Sequence, residues 1–160
     1  LATEEKCAPD VSRAIAGFCT TVVTDTKDVT VHLGIVTFLR ACASQRMHQL
    51  TDMLNTNSLL LPWLCETCLV KEHHLAVVDL GIVRRLTDRS IEVRRAAYEC
   101  VSLIVGQLVK IHNEHAVHVF TCIYAGLSLE APSGDSSLEC DFTFDICLLA
   151  LDLLTRAITR

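Results

Sequence analysis

Apolar and polar positions alternate along this chain with two different periods. From residue 93 the period is helical: Val93, Ala97, Cys100, Val101 and Ile104 fall at i, i+4, i+7, i+8 and i+11, one apolar stripe. Ser90 stands where an N-cap belongs, and Glu92 and Glu99 keep the other face polar. The same spacing recurs in Val31, Ile35, Phe38, Leu39 and Cys42 behind a capping Asp28. A looser copy, Phe144, Leu148, Leu151 and Leu154, comes after Asp141. Self-similar helices of this kind predict stacked repeats, in which no unit buries its face alone. The unequal intervals between the capping positions fit HEAT repeats of roughly 40–47 residues with insertions.

Further helices are predicted around these three. Pro9-Asp10 opens one whose stripe is Val11, Ile15, Phe18, Cys19 and Val22; others cover residues 47–54, 58–70 and 113–126. Pro62 fits a first turn or a kink, and Gly126 is read as a helix stop. Residues 129–139, LEAPSGDSSLE, are dense in turn formers and predict a loop. The last helix stays apolar to Ile158 without a polar end unit, which predicts a fragment of a longer protein.

Residues 71–88 break the helical rhythm. Leu75, Ala76, Val77, Val78, Leu80, Ile82 and Val83 are rich in β-branched side chains and interrupted by Gly81. Asp79-Leu80-Gly81 lies between two short apolar runs, as a hairpin turn does. The same letters also fit a short helix capped by Gly81, and periodicity leaves both open.

Composition narrows the class. The chain has 160 residues, enough for one domain or a few repeats, and is 51% hydrophobic with only six Gly and three Pro. So few breakers suit helices better than a turn-rich β fold. No apolar run reaches the ~18 residues that span a bilayer, and LATEEKC is no signal sequence. A net charge of −5 argues against nucleic acid as the general partner. Locally the sign reverses: Arg84, Arg85, Arg89, Arg94 and Arg95 put five of the fourteen cations within twelve residues. They read either as a solvated helix edge with an Arg95–Glu99 pair or as a contact for an acidic partner. Nine cysteines sit mostly inside apolar runs, as small hydrophobes do. That pattern predicts a reducing compartment, cytoplasm or nucleus, rather than a disulfide framework.

Chemistry-bearing constellations are sparse. Cys65-Glu66-Thr67-Cys68 with His73 and His74 makes half a zinc site, but a second ligand pair at the right spacing is missing from the sequence. His112, His115 and His118 read as a solvated helix start. Asp141, Asp145 and Asp152 read as cap and surface, and no glycine-rich phosphate loop is present. The expectation is a non-enzyme with no metal and no cofactor; a zinc or thiol enzyme is the weaker alternative.

Residues 81–100, GIVRRLTDRSIEVRRAAYEC, resemble a segment of the cullin-associated, neddylation-dissociated proteins, also called TATA-binding-protein-interacting proteins. The matching residues are Gly81, Arg84, Asp88, Glu92, Val93, Arg94, Arg95, Ala96, Ala97, Tyr98, Glu99 and Cys100. Residues 28–55 are similar to the preceding HEAT repeat, residues 59–75 to the joining segment, and residues 142–158 more weakly to the family's downstream segment. The chain departs at Leu80 and Ile82, which flank Gly81 where the family tends to place a Pro after the glycine. The resemblance implies an all-α fold, a HEAT-type α-solenoid (α-α superhelix), with one inserted β-hairpin near residues 71–88 and an insertion at 129–139. It also implies a scaffold that binds an unmodified cullin and its RING-box subunit. There it would displace the F-box-type substrate-receptor adaptor and so regulate cullin-RING ubiquitin ligase assembly. The contact residues implied are Val77, Val78, Leu80, Gly81, Ile82 and Val83, with Arg84 and Arg85 beside them. The competing reading is a generic HEAT or armadillo scaffold, such as a nuclear transport or microtubule regulator segment. In that case residues 71–88 would be a plain helix.

Overall fold

The computed structural model of the chain describes residues 28–45, 59–81, 84–107, 113–128, 139–140 and 144–159, together with Gly17, Thr21 and Leu54. The expected helices at the N-terminus and over residues 47–54, most of the 129–139 loop, and the positions of Ile82, Val83, His112 and Asp141 lie outside these residues. Within them the protein is mostly helical with a small sheet. Five helices run α1 (Val29–Gln45), α2 (Leu60–Thr67), α3 (Ile91–Gln107), α4 (Asn113–Leu127) and α5 (Phe144–Ile158). A 3-10 turn (Glu72–His74) and three strands, β1 (Leu75–Asp79), β2 (Arg84–Asp88) and β3 (Glu139–Cys140), complete the described elements.

α3 is the centre of the packing, touching α1, α2 and α5, while α4 lies against α2 and α5. The stripe expected on α3, Val93, Ala97, Cys100, Val101 and Ile104, is buried, and Arg94, Ala96, Tyr98, Ser102 and Val105 are buried beside it, because the helix packs on three neighbours. Asp28 caps α1 as its position predicts, its Oδ1 accepting from the Thr30 N–H at 2.8 Å.

Two stripes are corrected. On α1 the buried residues are Ile35, Val36, Leu39 and Ala43, whereas Val31 and Phe38 are exposed. On α5 they are Ile146, Ala150 and Leu153, whereas Phe144, Leu148 and Leu151 face outward and Leu154 is only partly buried. Both helices are apolar on more than one face, so sequence offers two stripes for each. Packing selects the one that carries alanine, because small residues let helices approach closely. Gly126 makes the same point. It lies inside the last turn of α4 rather than ending it, and a Cβ there would meet Tyr98 Oη at 2.5 Å and Ala150 Cβ at 2.7 Å.

Candidate functional site: an exposed β-hairpin

β1 and β2 pair antiparallel from Leu75↔Asp88 to Asp79↔Arg84. The hairpin expected over residues 71–88 therefore spans Leu75–Asp88, after a 3-10 turn at Glu72–His74, and the alternative of a short helix capped by Gly81 is excluded. The turn has a local cause. Gly81 has φ +83°, a left-handed conformation open to glycine, and its N–H donates to Asp79 Oδ1 at 2.8 Å. β3 adds a short parallel strand, Arg85↔Glu139 and Leu86↔Cys140, so the end of the predicted 129–139 loop returns to the sheet. β2 is thus the central strand, and β1 and β3 are the two edges.

The hairpin is rooted at one end and wet at the other. On β1 the two residues at the root are half-buried and the three toward the tip exposed, and on β2 Leu86 and Asp88 turn inward. Near the tip Val77, Val78 and Leu80 are 58%, 42% and 63% exposed. Exposed aliphatic side chains gathered at one place mark contact surfaces. Arg84 is exposed and lies 3.6 Å from Asp79; Arg85 is half-buried opposite Val78. The structure thus brings Val77, Val78, Leu80, Gly81, Arg84 and Arg85 onto one projection.

The root is a buried polar knot that the sequence pattern does not announce. Arg94 and Asp88, both almost wholly buried, are joined by Nη1 to Oδ2 at 2.7 Å. Arg94 Nε also donates to the Cys68 carbonyl at 2.9 Å. Asp88 Oδ1 accepts from both the N–H and the hydroxyl of Ser90, at 2.8 and 2.6 Å. One guanidinium thus ties the end of β2 to the first turn of α3 and the end of α2. A buried charge pair persists when further hydrogen bonds support it; here Arg94 Nε and Nη1 and both Asp88 carboxylate oxygens are engaged. The one signal in the sequence is Asp88 two residues before Ser90, an Asx-turn spacing, with Arg94 one helical turn beyond. The arginine run is accordingly not one solvated edge, and the expected Arg95–Glu99 pair is not made. Arg95 pairs with Glu92 at 2.8 Å and Asp145 at 2.6 Å, and Glu99 pairs with Arg40.

Other singled-out residues fall around this root. Arg89 N–H donates to the His74 carbonyl at 3.0 Å, extending the ladder one step. His74 is buried and its ring lies 4.0 Å from that of His73. Burial, reinforced by the charge of His73, lowers its pKa below the ordinary histidine value. Cys65 and Cys68 turn into the core against Cys122, and burial pushes Cys68 up. His115 is half-buried and His118 exposed on α4. Asp145 reaches Arg95, while Asp152 accepts from Ser102 and Arg156. Among the described residues, no three His, Cys, Asp or Glu side chains are placed to hold a metal ion, and no helix is long and apolar enough to cross a membrane.

Compared with known proteins, the chain matches the TIP120 family, described as TATA-binding protein interacting (TIP20), over residues 50–131. That range is just over half of the chain and contains α2, the hairpin, α3 and α4. No curated protein and no solved structure gives a match.

Proposed function

Because the chain belongs to the TATA-binding-protein-interacting family, we propose that it is a HEAT-type scaffold that binds an unmodified cullin with its RING-box subunit. In this reading the hairpin occupies the surface on which the F-box-type adaptor docks. The supporting observation is the projection itself: two strands whose tip exposes Val77, Val78 and Leu80 while their base is fixed by Arg94. No bond is made or broken. Cullin binding and adaptor binding weaken each other through one coupling free energy, shared by both. The scaffold is not an enzyme and works in the cytoplasm and nucleus, in keeping with its buried, reduced thiols. A generic HEAT or armadillo scaffold predicts a plain helix over residues 71–88, and the strands there count against it.

The test is capture of an unmodified cullin–RING-box complex by this chain, with and without adaptor. Val78→Asp with Leu80→Asp should weaken capture by roughly 30-fold or more, the scale of a contact hot spot. Because both side chains are exposed, stability should move by no more than about 0.5 kcal/mol. Capture unchanged by the pair, or undiminished by saturating adaptor, would refute the reading.

A further inference from the structure

A small cleft lies at the root of the hairpin, where three elements converge. α1 begins at its edge with Val29, α3 begins there behind Ser90, and the 3-10 turn contributes His74. Its volume is about 10 Å³, room for one water-sized atom, and it is open to solvent on one side. Three basic side chains line it, Lys71, His32 and His74, and among the described residues no carboxylate does. The positive ends of two 17-residue helices, α1 and α3, meet at the same place. The carboxylates that stand before those helices are already engaged, Asp28 by the Thr30 N–H and Asp88 by Arg94 and Ser90. Both hydroxyls in the lining are spent as donors, Thr67 to the Trp63 carbonyl and Ser90 to Asp88. His74 is the exception. It is 8% exposed, it lines the cleft, and no described residue hydrogen-bonds either of its ring nitrogens. A buried polar group without a partner costs free energy, and a ligand that supplies the partner recovers it.

We propose that this cleft is a receptor for one carboxylate, whose leading oxygen is taken by His74 and Lys71. The Lys71 ammonium supplies the charge. Its contact with the exposed Glu66, at 3.3 Å, is a surface pair of the kind that yields to a better partner. The His74 ring N–H donates to the same oxygen, and protonation of the ring strengthens that bond. His32, edge-on to Trp63 with ring centroids 6.0 Å apart, adds a third basic group. Val29 and Val93 make the rest of the lining apolar, which strengthens each polar contact inside. The size of the cleft selects the ligand: one oxygen of a carboxylate enters and the second stays at the mouth. Binding is linked to protons. His74 is faced by His73, Lys71 and His32, which disfavour its cation, and by Asp88, which favours it but is held by Arg94. A bound carboxylate adds a second favourable charge, so affinity rises as pH falls through the histidine range. A free small acid and an acidic side chain of another protein present the same group.

The experiment titrates the whole isotope-labelled chain with sodium acetate and follows amide and imidazole NMR signals, with sodium chloride at equal ionic strength as the reference. The expected result is a saturable shift at residues 71–74 and 90–93, with the His74 ring among them. Affinity should tighten by up to about tenfold for each pH unit as the ring takes up its proton. His74→Gln should weaken binding by about tenfold at acid pH and remove most of the pH dependence, as loss of one charge-assisted hydrogen bond does. Lys71→Gln should weaken it at every pH alike. A second arm replaces acetate with the blocked tripeptides Ala-Glu-Ala and Ala-Gln-Ala. Tighter binding of the glutamate peptide than of acetate identifies a protein side chain as the source, and weaker or equal binding identifies a free acid. Shifts that chloride reproduces, shifts that do not saturate, equal binding of the two peptides, or a cleft that holds water only overturns the proposal. Titration of the unmutated chain decides alone, so neither variant has to fold. Its failure leaves the cullin reading untouched, since that reading uses the tip of the hairpin and not its root.

Discussion

At the scale of single residues, the protein's most consequential side chain is Arg94. A run of five arginines reads as surface, yet this one is 3% exposed and satisfies Asp88 and the Cys68 carbonyl together. Sequence conceals it because charge is assigned to faces by periodicity, and periodicity cannot see a carboxylate six residues upstream folding back onto the helix. Removing one partner leaves the other charge buried and unpaired. Arg94→Met should therefore cost about 3–5 kcal/mol in denaturant unfolding. Asp88→Asn in the same background removes the stranded charge, so the double variant should recover a large part of that loss. Strict additivity of the two changes in a double-mutant cycle would mean that the pair is not coupled.

At the scale of elements, the sequence was readable where the period pointed to residues that packing also buries. The α3 stripe and the hairpin turn at Gly81 come from spacing and from glycine's access to positive φ. β3 was not readable, since two residues carry no period, and the stripes of α1 and α5 were misassigned because both helices are apolar on two faces. What decides between faces is the neighbour, and glycines report it. Gly126→Ala gains about 1 kcal/mol of helix propensity but drives a methyl into Tyr98 Oη and Ala150 Cβ. Overpacking costs roughly 1–3 kcal/mol, so the net change should be destabilising. Gly34→Ala is the matched opposite: within α1 and with nothing within 4 Å of its new methyl, it should stabilise by up to about 1 kcal/mol. Thermal unfolding of the two variants checks both signs, and a shift in the same direction for both would contradict the packing described.

At the scale of the whole molecule, the hairpin is stabilised from its base, and the base contains titrating groups. His74 is faced by His73, Lys71 and His32, all disfavouring its cationic form, and by Asp88, which favours it but is already bonded to Arg94. Burial is the largest cause, and the folded pKa lies below the unfolded value of about 6.5. Between those two values the folded chain holds fewer protons than the unfolded one. Stability should thus be level above about pH 6.5 and fall as pH drops through it, with a slope of at most about 1.4 kcal/mol per pH unit from this group. Asp152 acts in a separate window. The Ser102 hydroxyl and Arg156 depress its pKa, so its contribution is lost only below the ordinary aspartate range, as pH falls through the folded pKa. Unfolding free energies at about pH 8 and about pH 5 measure the first window without the second. His74→Gln should flatten the difference. Amide exchange should locate the loss in the hairpin, at residues 75–79 and 84–88, with α3 protected at both pH values, because its stripe holds no titrating group in this range. If the glutamine variant keeps the full pH dependence, the acid sensitivity arises elsewhere and the hairpin base is not the proton-linked element.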